Sequence, residues 1–132
     1  ASKPDVTYSI DNPYNHLVVE VDDQAIGTVI DQIIANAAQN TTSGQVRARY
    51  DYTGDHLVLA FQDTGNGIPE SMLDRIFDRF MSTDGHRTGL GLSICQEIIS
   101  QMNGKITIKS GEGEGTIVWV SIPCKLIEID RK

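Results

Sequence analysis

Three stretches of this sequence combine residue types and spacings that could do chemistry. The first is a set of amides, Gln32, Asn36 and either Gln39 or Asn40. At helical spacing, residues three or four apart share a face. An amide oxygen on that face can ligate Mg²⁺, a hard cation that takes oxygen donors and keeps several waters; a merely solvated face would look the same. The second is Asp63-Thr64-Gly65-Asn66-Gly67. Its glycines let backbone approach a flat ligand closely, and its carboxylate can accept a hydrogen bond from an exocyclic amine. A turn capped by the aspartate is the alternative. The third is Thr88-Gly89-Leu90-Gly91-Leu92-Ser93, where a loop runs into a helix. The unpaired N–H groups and the dipole of a helix start attract anions such as phosphate. This stretch is neither a Rossmann fingerprint nor a Walker loop, since no G-x-G-x-x-G opens it and no Gly-Lys-Ser/Thr follows. Alone, it could be a plain helix start.

The elements that must position these groups are readable from periodicity. Val6 to Ile10 and Leu17 to Val21 read as short strands around the turn-rich Asp11-Asn12-Pro13-Tyr14-Asn15. Asp22 or Asp23 caps a helix running to about Asn40, with Ile26, Val29, Ile30, Ile33 and Ala37 on one core-facing stripe. Gln45 to Tyr52 and Leu57 to Gln62 flank Thr53-Gly54-Asp55, a hairpin signal. Glu70 to Arg79 is weakly helical, and Met81 to Thr88 has no period and reads as a mobile loop. Leu90 to Met102 is an amphipathic helix with Leu92, Ile94, Cys95, Ile98 and Ile99 inward, ended by Asn103-Gly104. Lys105 to Lys109 then pairs with Thr116 to Ile122, and Leu126 to Lys132 is a strand extension or a linker. This order predicts a mixed sheet with helices on one face.

Composition narrows the function classes. The 132 residues suit one domain over 1–132, with a core of about 5–124 and a tail over 125–132. A formal net charge of -7 argues against non-specific attraction to nucleic acid or to an anionic membrane. It also means that a polyphosphate ligand would need a metal and local cations. Cys95 and Cys124 lack C-x-x-C spacing and read as reduced, packed thiols. No apolar run is long enough to span a bilayer.

Asn36, Asp63-Thr64-Gly65-Asn66-Gly67, Ile76-Phe77-Asp78-Arg79-Phe80, Gly89-Leu90-Gly91-Leu92 and Gly113-Glu114-Gly115-Thr116 follow one another along the chain. Taken in that order, they closely resemble the N, G1, F, G2 and G3 boxes of the catalytic ATP-binding domain of two-component sensor histidine kinases, in the GHKL ATPase superfamily. The resemblance runs from about Asp22 to Pro123. It implies a Bergerat-type α/β (α+β) two-layer sandwich, a mixed and mostly antiparallel sheet with helices on one face and ATP between the layers. Asn36 would ligate Mg²⁺, and Asp63 would accept from the adenine amine. Gly65, Gly67 and Thr116 would line the base pocket, with Ile68 also binding nucleotide. Residues 81–88 would be the ATP lid, supplying Arg87 and Thr88, and Gly89, Leu90 and Gly91, with Leu92 behind them, would offer backbone N–H groups to the phosphates.

Three positions depart from that pattern. Gln32 stands where these kinases usually carry Asn, Gln39 where Lys or Arg is common, and Arg87 where the fourth box usually begins with Gly. In hydrolysing relatives the position of Gln32 is a glutamate that serves as general base, a task an amide cannot perform. The resemblance therefore implies a protein-histidine kinase rather than a hydrolase, with Mg²⁺ and ATP as cofactors. None of His16, His56 and His86 sits in the pattern of an acceptor helix. The acceptor would lie on the protein's own dimerisation domain, and a response regulator receiver domain would be the next partner. The expected setting is a cytoplasmic domain of a membrane-anchored sensor, without direct membrane or nucleic-acid contact. A regulatory nucleotide-binding module without phosphotransfer and an anti-sigma-factor-type serine kinase are the alternatives.

Overall fold

The computed structural model of the protein describes residues 6–40, 44–65, 90–111 and 115–132. The expected helix over 70–79 and loop over 81–88 lie outside the described residues. Strands β1 (Val6–Asp11) and β2 (Tyr14–Glu20) precede helix α1 (Asp23–Asn40), and the hairpin of β3 (Gly44–Thr53) and β4 (His56–Asp63) follows. Helix α2 (Leu90–Gln101) then leads into β5 (Lys105–Gly111), β6 (Gly115–Pro123) and β7 (Lys125–Arg131). Five strands form one sheet in the order β1-β3-β4-β6-β5, and β2 pairs with β7 in a second, two-stranded sheet. Only the β1–β3 pairing is parallel among those described.

Local signals account for most boundaries. The Asp22 carboxylate accepts the Ala25 N–H at 3.1 Å, which caps α1 at its start. Gly54 and Asp55 both take positive φ, 58° and 65°, the conformation of a two-residue hairpin loop that suits the twist of its strands. Asn103, at φ 63°, ends α2 in the left-handed conformation.

The two helices share one face of the large sheet. Val29 and Ile33 of α1 and Cys95 and Ile99 of α2 bury against Leu57, Leu59 and Phe61 of β4 and Val118, Val120 and Ile122 of β6. Fully burying an aliphatic side chain of this size contributes about 1.5–3 kcal/mol, so this layer contact is a large stabilising contribution. Cys95 lies within it, and burial pushes its thiol up to about 11. Both cysteines are free thiols, as their spacing suggested.

Ile94 corrects one expectation. It points outward and is 37% exposed. At 100° per residue it sits a full step round the helix from Cys95, outside the stripe made by Leu92, Cys95 and Ile99.

The opening strands hold another difference. Sequence places β1 and β2 around a turn, but they do not pair with each other. Asn12 Oδ1 accepts the Tyr14 N–H at 2.9 Å, and this side-chain turn redirects the chain from one sheet into the other. The stretch from Leu126 to Lys132, readable as strand extension or linker, falls almost wholly in β7, which meets β2. Tyr14 fastens this small sheet to the large one. It is fully buried, its hydroxyl donates to the Asp51 carboxylate, and it accepts the Tyr52 N–H at 3.0 Å. Arg131 lies 4.9 Å over its ring.

The Tyr14 hydroxyl is the main cause holding the Asp51 carboxyl below its ordinary 3.8. A carboxyl depressed in the folded state stabilises it above the unfolded pKa, and that contribution is lost as pH falls through the folded value. Tyr14→Phe should therefore cost about 1–1.5 kcal/mol at neutral pH, a modest figure because Asp51 is partly exposed. The difference from the parent should shrink below about pH 4. Thermal melts across that range check both statements.

Candidate functional site

The pleat that builds the core also builds the site. Along β4, Leu57, Leu59, Phe61 and Asp63 alternate toward the helices, and along β6 so do Ile122, Val120, Val118 and Thr116. The last pair in this series is polar. Asp63 and Thr116 are register partners at the end of the sheet and are only 5% and 4% exposed. Side chains of directly opposed residues have Cβ atoms about 5 Å apart, so a carboxylate and a hydroxyl stand together at the edge of an apolar layer.

Asp63 is held rather than merely buried. Gly65 donates its N–H to Asp63 Oδ1 at 2.9 Å. Thr64 exchanges two bonds with Gln45 of β3, its N–H to the Gln45 carbonyl at 3.1 Å and the Gln45 N–H to its hydroxyl at 3.0 Å. Burial pushes the Asp63 carboxyl above its ordinary value, and the backbone N–H groups of Gly65 and Thr116 oppose that rise. Such a group is a buried acceptor rather than a solvated charge.

Gly115 closes the same corner. Its φ is +83°, and a Cβ there would lie 2.2 Å from the Asp63 carbonyl oxygen. Behind Thr116 stands Ser110 of β5, whose hydroxyl donates to the Gly115 carbonyl at 2.9 Å and lies 2.8 Å from the Thr116 hydroxyl. Sequence reading passed over Ser110. Its signal was the hairpin register that sets it opposite Thr116, which follows only once the loop between them is counted.

Helix α1 brings the amide face to this end. Ala37 packs with Val46 in a small cluster, and Val46 is the β3 register partner of Asp63. Asn36 precedes Ala37 and is half-buried, and Gln32 lies one turn earlier, also half-buried. Gln39 and Asn40 fall in the last turn of the helix. Leu90 and Gly91 open α2, and Leu92 in that first turn has its side chain in the core, only 3% exposed. Any ligand contact from Leu92 would come from its backbone. Gly67, Ile68, Arg87, Thr88 and Gly89 lie outside the described residues.

Residues 21–126 match the family described as Histidine kinase-, DNA gyrase B-, and HSP90-like ATPase. The chain belongs to this family. Within this ATPase family it is similar to sensor protein kinase WalK of Staphylococcus epidermidis, 34% identical over 134 residues, covering 94% of this chain and 22% of that protein. WalK of Staphylococcus aureus is 33% identical over 136 residues, covering 96% of this chain and 33% of that protein. The chain thus spans a third or less of these curated relatives. Among solved structures, the nucleotide-free catalytic domain of histidine kinase ThkA superposes with a TM-score of 0.79 at 29% identity, over 90% of this chain and 79% of that one. Full-length ShkA in complex with AMPPNP gives a TM-score of 0.84 at 23% identity, over 92% of this chain and 26% of that one, a likeness of fold. The mixed, mostly antiparallel sheet with helices on one face is the fold of histidine kinase catalytic domains.

Proposed function

We propose that this domain binds Mg-ATP and transfers its γ-phosphoryl group to a histidine on a separate dimerisation domain of the same protein. The observation that carries the reading is the buried, backbone-held Asp63 beside Thr116, an acceptor pair suited to the amine of adenine. The family membership supports ATP as the nucleotide. A response regulator receiver domain would then take the phosphoryl group from the histidine. We place this domain in the cytoplasm, where ATP is supplied. Among the described residues no helix is long and apolar enough to cross a membrane.

The donor set fits a loosely held Mg²⁺. Among the described residues there is no cluster of three or more His, Cys, Asp or Glu, and Asp63 is engaged by backbone donors. Asn36 offers an amide oxygen, which matches a cation held by one protein ligand, water and the phosphates of its substrate. When bound, Mg²⁺ would offset phosphate charge that a chain of net charge -7 does not offset.

The chain's own groups act by positioning. Asp63 and Thr116 would orient the base, and Gly65 and Gly67 would let the backbone lie close to it. Gly89, Leu90 and Gly91, where α2 starts, would turn N–H groups toward the phosphates, with Arg87 adding a cation. Gln32 takes no proton from water, so the phosphoryl group is reserved for an acceptor brought by another domain.

Phosphotransfer from γ-labelled ATP to the dimerisation domain of the full protein tests this reading, and no labelling of that domain would refute it. Asn36→Ala should weaken ATP binding in Mg²⁺ at least about tenfold and abolish the advantage that Mg²⁺ confers, since groups merely supporting a ligand are already worth about 10–100-fold. Calorimetric titrations with and without Mg²⁺ that match the parent would remove Asn36 from the site.

A further inference from the structure

We infer that Thr64 is a positioning residue for base recognition, because its hydroxyl stops strand β4 at Asp63 and lets the backbone turn back onto that carboxylate. This rests on the reading of Asp63 as the group that accepts from the base. In a regular antiparallel ladder, opposed residues of a bonded pair exchange both backbone bonds. Val46 and Asp63 are register partners, so Gln45 and Thr64 stand opposite each other one step on. Backbone makes only half of their exchange. Thr64 donates its N–H to the Gln45 carbonyl at 3.1 Å, but the Gln45 N–H goes to the Thr64 hydroxyl at 3.0 Å, where a ladder would use the Thr64 carbonyl. Both donors are backbone N–H groups, so the direction of each bond is fixed.

With the hydroxyl in place of the carbonyl, the peptide between Thr64 and Gly65 can rotate out of the strand. β4 accordingly ends at Asp63. Gly65 then brings its N–H back to Asp63 Oδ1 at 2.9 Å, an aspartate-centred turn. Had the strand run on, two more residues would carry the chain about 7 Å along the sheet, and the Gly65 N–H would not reach the carboxylate. Room for the turn comes from the facing strand, where Gly115 has no Cβ; one built there would lie 3.2 Å from Thr64 Cα. Thr64 is itself exposed. It acts through Asp63, by fixing where that carboxylate points.

ATP and ITP are the probes for this role, since ITP carries a carbonyl where ATP has its 6-amino group. Calorimetric titration of the 132-residue chain should show clear preference for ATP. Thr64→Val keeps the shape of the side chain but offers no acceptor. It should narrow the ATP-to-ITP ratio about 3- to 10-fold, the value of one hydrogen bond, chiefly by weakening ATP. Thr64→Ser, which keeps the hydroxyl, should retain the parent ratio. Because Thr64 acts through Asp63, Thr64→Val made on top of Asp63→Ala should leave the ratio of the Asp63→Ala protein unchanged. A threonine that merely steadied the fold would weaken both nucleotides together. Where the valine variant folds poorly, Thr64→Ala also lacks the acceptor and should narrow the ratio likewise. A parent-like ratio in both the valine and the alanine variants, or further narrowing on top of Asp63→Ala, overturns the proposal. Equal binding of ATP and ITP by the parent chain instead overturns the base reading of Asp63 itself, and this role for Thr64 with it.

Discussion

Asp63→Asn is expected to lower ATP affinity about 10- to 150-fold while leaving the fold at least as stable as before. The first figure is the loss of one hydrogen bond to a charged group, about 1.5–3 kcal/mol. The amide keeps the shape of the carboxylate and can still accept the Gly65 N–H with its oxygen. It loses the obligate second acceptor, and it can present a donor to the amine of adenine. Stability moves the other way for the same physical reason. Burial raises the Asp63 pKa, so the folded state holds this carboxylate against its preference. A carboxyl raised by folding costs stability above that raised value and ceases to do so as pH falls through it toward the unfolded value. The asparagine carries no such cost at any pH. Calorimetry with ATP and thermal melts of both proteins measure the two effects, and unchanged ATP affinity would remove Asp63 from the base pocket.

Gly115→Ala should be the most damaging single change near the site, at about 3 kcal/mol or more. Two costs coincide there. A non-glycine residue at φ +83° is itself strained by about 1–3 kcal/mol. The added Cβ would also lie 2.2 Å from the Asp63 carbonyl oxygen, 3.2 Å from its carbonyl carbon and 3.2 Å from Thr64 Cα. All three are backbone atoms and cannot swing aside as a side chain would. Relief requires β4 and β6 to separate where Asp63 pairs with Thr116. Chemical denaturation reads the stability loss, and ATP titration of the folded variant should show binding reduced along with it. An alanine variant as stable as its parent would mean that Gly115 is not closely packed on Asp63.

Much of this molecule could be read before its structure. The stripe of Val29, Ile33 and Ala37 and that of Leu92, Cys95 and Ile99 are helical periods that chose their own buried faces. Gly54 and Asp55 specify a tight turn through their backbone conformations alone. Asp63 was legible as a candidate because its carboxylate precedes glycines at the end of an apolar run. Periodicity was less exact at the margin of a stripe, where Ile94 turned outward, since an apolar residue there costs little when exposed.

Sequence by itself determined the elements, their buried faces and the chemical types gathered at Asn36, Asp63 and Thr116, because each of those rests on neighbours within a few residues. Tertiary structure decided the pairings. Alternation marks β1 and β2 as strands but does not say that β1 joins β3 in parallel or that β2 meets β7. Those partners are distant along the chain, as in the contact of Tyr14 with Asp51 across 37 residues. Burial of Tyr14 likewise follows from where two sheets meet, not from the polar turn in which its sequence places it. The meeting of Ser110 with Thr116, their hydroxyls 2.8 Å apart, is of the same kind, because only the register of β5 on β6 brings the two side chains together.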